Sequence, residues 1–196
     1  MRAEITSAAR DHRSAGGFTL IELMFVGAIL AIFLTIGIPE MTEFVADQRV
    51  RTTTSDIAAE IALARAKAVE ASRRVYMEKL TVGGKWNSGW RLYADFDNNG
   101  AYTPGTDIDI KRFDGFAPGR MYVCTVSKNN DFSNNIVFRP DGRIVRSGTA
   151  GADDGIYVVD PMNDPAKIKM RALLFGLSGR VTIVKKNGTL PPCNPN

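Results

Sequence analysis

A run of apolar residues from Phe18 to Ile38, FTLIELMFVGAILAIFLTIGI, broken only by Thr19, Glu22 and Thr35, limits most strongly what this chain can become. As an α-helix rising about 1.5 Å per residue it is roughly 31 Å long, close to the ~30 Å hydrocarbon thickness of a bilayer. It therefore reads as a membrane span. The polar stretch before it, Met1 to Gly17, carries Arg2, Arg10 and Arg13 against Glu4 and Asp11, while Glu40, Glu43 and Asp47 follow the span before the next base, Arg49. That asymmetry puts the N-terminus in the cytoplasm and the rest of the chain outside. A secretory signal peptide fits less well, because its apolar core is shorter and no small-x-small cleavage site follows Ile38.

Glu22 argues against a plain single-pass anchor. A carboxylate in lipid costs several kcal/mol unless it is paired, so an acid this close to the start of the span calls for a partner. A cut between Gly17 and Phe18 would expose a new α-amino group beside the apolar helix. The Glu22 carboxylate of one subunit could then neutralise the Phe18 amine of a neighbour, which makes burial tolerable once subunits assemble. Pro39 has no N–H and its ring clashes one turn back, so a kink is expected where it interrupts the helical pattern.

The segment Gly17-Phe18-Thr19-Leu20-Ile21-Glu22 resembles the class III signal of type IV pilins and type II secretion pseudopilins. The resemblance implies that a membrane aspartyl peptidase, the prepilin peptidase, cuts after Gly17 and N-methylates Phe18. It also implies that Glu22 and Pro39 serve filament assembly. Glycine before the cut suits a protease cleft with no space for a side chain.

Beyond the span, Ile57, Ile61, Ala64, Ala68 and Val75 fall on one helical stripe, with Glu60, Arg65, Lys67 and Glu70 placed away from it. After residue 80 short β-like runs take over: Gly89–Ala94, Arg120–Val126, Ile136–Arg139, Ile156–Val159, Leu173–Phe175 and Val181–Val184, separated by Gly, Asn, Asp and Pro turns. The expected fold class is α+β: a long hydrophobic N-terminal helix continues into an amphipathic helix packed on an antiparallel β-sheet head. The expected divisions are a leader at 1–17, a transmembrane and assembly helix at 18–38, an extracytoplasmic continuation at 39–79 and a β-rich head at 80–196. The segments ALARAKAVEASRRV, GWRLYADFDNNG, IVFRPDGRI and LSGRV are similar to the GspH/FimT branch of minor pilins and pseudopilins, which extends the resemblance to a type IV pilin-like fold.

The run Asp95-Phe96-Asp97-Asn98-Asn99-Gly100 has the D-x-D-x-N-G spacing that alternates oxygen ligands around calcium. Asp95, Asp97 and Asn99 are the candidate ligands. A full EF-hand loop would carry Glu at its twelfth position, where Thr106 stands, with Asp107 and Asp109 nearby. A polar turn without metal is the competing reading. Arg139, Arg143 and Arg146 recur in one hairpin region, and Arg180, Lys185 and Lys186 are candidate phosphate contacts near the C-terminus. Some FimT-like proteins are DNA receptors with a GRxR signature, but here Gly179-Arg180-Val181-Thr182 lacks the second arginine, and no aromatic residues interleave to stack bases.

Cys124 and Cys193 can close one long loop in an oxidising compartment or stand as two thiols. The one histidine of the chain, His12, lies in the leader, so a mature head would have no imidazole for acid–base or zinc chemistry. An enzyme is not expected, and no cofactor is expected beyond the calcium candidate. The expected role is a minor pilin or pseudopilin that primes, caps or joins a type IV filament, single-pass in the inner membrane with a periplasmic head before it enters a pilus or pseudopilus. Its partners would be other pilins or pseudopilins, the prepilin peptidase and the membrane. A GspH-like role in type II secretion and a FimT-like DNA receptor in natural transformation are the alternatives.

Overall fold

The computed structural model describes residues 17–81, 84–117, 121–129, 131–149, 151–162, 167–176 and 178–186. Contacts divide the chain into two units, Met1–Met41 and Thr42–Asn196. Among the described residues one helix, α1 (Leu20–Ala71), contributes to both, and eight strands follow it: β1 (Arg74–Lys79), β2 (Trp90–Asp95), β3 (Ile108–Phe113), β4 (Tyr122–Val126), β5 (Asn135–Phe138), β6 (Gly155–Asp160), β7 (Lys169–Phe175) and β8 (Val181–Lys186).

In the first unit every described side chain from Phe18 to Thr35 is exposed. Thr19 opens the helix, its hydroxyl accepting the Glu22 N–H at 3.3 Å, which satisfies one of the free donors of the first turn. The Thr35 hydroxyl donates to the Ile32 carbonyl at 2.7 Å, so this polar group needs no partner outside its own helix. The helix continues through Pro39. The proline removes one backbone bond there without ending the helix.

In the second unit Ala46, Val50, Thr54, Ile57, Ile61, Ala64 and Ala68 recur at three- and four-residue spacing and are buried. They meet two antiparallel sheets, in strand orders β3-β2-β1-β5 and β4-β6-β7-β8. One core joins the helix stripe to Val75, Met77, Leu92, Ile136 and Phe138 of the first sheet and to Val123, Ile156, Val158, Leu173 and Phe175 of the second. The alternate residues of the second sheet, Tyr122, Cys124, Tyr157, Val159, Met170 and Ala172, form a smaller cluster. Strand β6 is buried along its whole length because its two faces serve these two clusters. Gly155, at its start, is required by closeness: an added Cβ would lie 2.1 Å from the Leu173 carbonyl oxygen.

The head differs from the sequence expectation in four respects. The helix ends at Ala71, so Val75 belongs to a strand rather than to the stripe, and the expected continuation over 39–79 contains β1. Ser72 takes φ 51°, Arg73 N–H bonds the Ala68 carbonyl and Ser72 N–H bonds that of Val69, a left-handed helix stop formed without glycine. Strand β3 is also additional; its polar sequence, Ile-Asp-Ile-Lys-Arg-Phe, gives little apolar signal. Glu60 is buried rather than exposed on the polar face. It accepts the Trp90 indole N–H at 2.5 Å and pairs with Lys111 at 2.6 Å. Finally, the strands form two sheets rather than one.

Ion pairs tie the start of the second unit's helix to the second sheet. Glu43 meets Lys167 at 2.7 Å and Lys169 at 3.0 Å, Asp47 meets Arg171 at 3.8 Å, and Arg49 meets Asp160 at 3.5 Å. Hydrogen bonds from Lys167 and then Lys169 hold the Glu43 carboxyl below its usual range.

Candidate functional site

The first candidate site is the apolar part of α1. It is long and apolar enough to cross a membrane. Phe18, Leu20, Leu23, Met24, Phe25 and Phe33 are each more than 60% exposed, a density of uncovered apolar surface that marks an interaction surface. Glu22 sits in the first turn, where the helix dipole favours a negative charge. Thr19 caps the start of this segment, a role the sequence reading passed over. Its signal was present as the spacing Thr19-x-x-Glu22, a capping pair just ahead of an apolar run. Gly17 and Phe18 are exposed at the head of this segment. The rest of the expected leader, 1–16, lies outside the described residues.

The second candidate lies in the loop between β2 and β3. Asp95 closes β2 and Asp107 immediately precedes β3, so the hairpin brings both ends of the loop together. Oxygens of Asp95, Asp97 and Asp107 lie within 4.8 Å of one another. Asp107 fixes the loop by accepting the Phe96 N–H at 2.8 Å and the Thr103 N–H at 2.7 Å. Asp95 accepts the Gly100 N–H through Oδ2 at 3.1 Å, whereas its Oδ1 is buried without a hydrogen-bond partner. Gly100 turns the chain at φ 77°, and Asn98 joins it at φ 59°. The Asn99 N–H, followed by the Thr103 hydroxyl, keeps the Asp97 carboxyl below its usual range.

Asn99, the third ligand expected from the spacing, is engaged within the loop. Its side-chain oxygen accepts the Ala101 N–H at 2.7 Å and its amide bonds Asp97 and Thr103. Asp107 joins Asp95 and Asp97 in the cluster, twelve residues beyond Asp95 in sequence and brought back by hairpin pairing. Asp109 is also not part of the cluster; it pairs with Arg91 at 3.5 Å, and the Arg91 guanidinium covers Tyr102 at 3.9 Å.

The candidate basic residues are engaged in different ways. Lys186 pairs with Asp153 at 2.8 Å, which pushes its ammonium pKa up, while strand alternation sends Lys185 to the opposite face of β8. Arg180 is exposed. Arg146 is buried against Asp154 at 2.9 Å and donates to the Phe175 carbonyl at 2.6 Å. Arg139 and Arg143 both lie near Asp141. Cys124 is disulfide-bonded, and Cys193 lies outside the described residues.

Two family models match. The prokaryotic N-terminal methylation motif covers residues 12–38, the segment with the Gly17-Phe18 junction and Glu22. The model described as type II transport protein GspH covers residues 53–165, more than half of the chain. The chain belongs to the GspH family. This GspH-family chain is accordingly of the type IV pilin and pseudopilin class, with an apolar N-terminal helix followed by an α+β head. Its fold is also similar to two crystal structures of the type IV minor pilin FimU of Pseudomonas aeruginosa. One, at 14% identity and a TM-score of 0.48, spans 72% of this chain and 92% of the other. The second, at 15% identity and a TM-score of 0.48, spans 68% and 91%. No curated protein matches the chain.

Proposed function

We propose that this chain is a minor pilin or pseudopilin that primes, caps or joins a filament of the type IV class. The observation that carries the reading is the exposed apolar helix with Glu22 in its first turn, coinciding with the methylation motif. The prepilin peptidase would cut after Gly17 and methylate Phe18, leaving the mature chain single-pass in the inner membrane with its head in the periplasm. Lateral packing of these helices, eased by Gly27 and Ala28, then joins the charge pairing of Glu22 with the Phe18 amine of a neighbour.

The head would select which subunits stand next to it. An open groove of about 690 Å³, lined by Ala58, Ala62, Ala66 and Val69 of α1 and by Val181 and Ile183 of β8, offers an apolar surface for that purpose. A role in type II secretion is favoured by the description of the matched family, and the same physics serves either machine. A DNA-receptor role has less support, because Lys186 is engaged by Asp153 and Lys185 faces away from it. A disulfide between Cys124 and Cys193 would pin the C-terminal tail to the head, and reduction would then shift the mass of the linked peptides.

Glu22→Ala tests the assembly reading. Membrane retention should be unchanged, while recovery of the chain in sheared filaments or pseudopili should fall roughly tenfold or more, the equivalent of about 1.4 kcal/mol. Unaltered incorporation of the variant would contradict the role given to Glu22.

A further inference from the structure

We propose that Asp95, Asp97 and Asp107 form a calcium site that clips together the two ends of the β2–β3 loop. The site stands independently of filament assembly. Its failure would leave the Glu22 reading untouched, and the reverse also holds.

Two observations point to a cation. The first is the convergence of three carboxylates, with oxygens within 4.8 Å of one another, although none of them has an ion-pair partner among the described lysines and arginines. The nearby bases are engaged elsewhere: Arg91 with Asp109 and Tyr102, and Arg73 over the ring of Phe96. The second is Asp95 itself, a residue only 1% exposed whose Oδ1 is buried with no hydrogen-bond partner. Buried polar atoms are nearly always satisfied, and an acceptor carrying part of a negative charge is among the costliest to leave alone. A cation at the centre of the three carboxylates satisfies this oxygen and removes the mutual repulsion.

The donor chemistry selects the ion. All three side chains offer hard oxygen, with neither a thiolate nor an imidazole in the cluster, which disfavours zinc and copper. Calcium binds oxygen at about 2.3–2.6 Å, so ligands on opposite sides of it stand up to about 5 Å apart, in keeping with the spread of this cluster. Magnesium draws its ligands to about 2.0–2.1 Å in a near-ideal octahedron and keeps much of its water, a poorer match to a loop already fixed by backbone hydrogen bonds. Three carboxylates leave room for loop carbonyls and water to complete the six to eight ligands typical of calcium. Affinity in the range of extracellular modules, a Kd on the order of 10⁻⁴–10⁻³ M, is expected.

The test uses the full chain in detergent, stripped with chelator and titrated with calcium chloride. Magnesium chloride is the control, and calorimetry and thermal unfolding are the readouts. Asp97 is exposed, so Asp97→Asn should leave the fold intact, while Asp114→Asn, at an exposed acid outside the cluster, serves as the second control. Expected are one calcium per chain, a higher unfolding midpoint with calcium than with magnesium, and an affinity at least about tenfold weaker in Asp97→Asn but unchanged in Asp114→Asn. No heat and no midpoint shift at about 5 mM calcium, or equal responses in Asp97→Asn and the parent, would overturn the site.

Discussion

Three carboxylates of the head, Asp154, Glu60 and Asp95, are buried to 3%, 5% and 1% exposure, and what faces each determines its role. Asp154 accepts the Lys128 N–H at 2.8 Å and the Gly151 N–H at 2.8 Å besides its pair with Arg146, so it joins several loops through one charge. Removing one partner of such a pair strands the other charge in the core. Asp154→Ala is therefore expected to cost about 3–5 kcal/mol in urea unfolding, against less than about 1 kcal/mol for Asp153→Ala at the exposed pair with Lys186. Equal costs for the two would contradict the buried-hub account. Of these, Asp95 alone was singled out in the sequence, by the D-x-D-x-N-G spacing, whereas the roles of Asp154 and Glu60 were not legible there. Glu60 follows Ile57 by one turn and reads as the edge of a polar face, because its partners Trp90 and Lys111 are distant in the chain. For the same reason the aspartate after the loop, Asp107, was noted only as a neighbour of the motif, while local spacing promoted Asn99.

Among the elements, periodicity located the amphipathic part of α1 and six of the eight strands. The two kinds of miss have different causes, one local and one not. The end of α1 carries neither glycine nor proline, and Ser72 supplies the left-handed stop in their place. A non-glycine residue in that conformation costs about 1–2 kcal/mol. Part of this is offset because glycine loses more entropy on folding. Ser72→Gly should therefore stabilise the head by ~0.5–1 kcal/mol, visible as a higher urea midpoint with an unchanged slope. A lower midpoint would mean that the serine side chain contributes something the backbone account leaves out. Strand β3 was missed because it alternates weakly and is held by pairing with β2 rather than by burial of its own side chains. Only contacts across the sheet determine its place.

At the scale of the whole molecule, the unit ending at Met41 and the head were legible to different degrees. The apolar helix is a local property: length, composition and the Gly17-Phe18 junction are all read along one stretch, and the methylation motif falls on the same residues. The head depends on pairings between distant strands, so the sequence indicated its α+β class but not its division into two sheets sharing one core. The central claim is that removal of the leader turns the exposed apolar helix into an assembly element with a free amine beside Glu22. N-terminal sequencing of the protein recovered from membranes tests this most directly. The account predicts a chain that begins with N-methylated phenylalanine at Phe18; a chain that still begins at Met1 would contradict it.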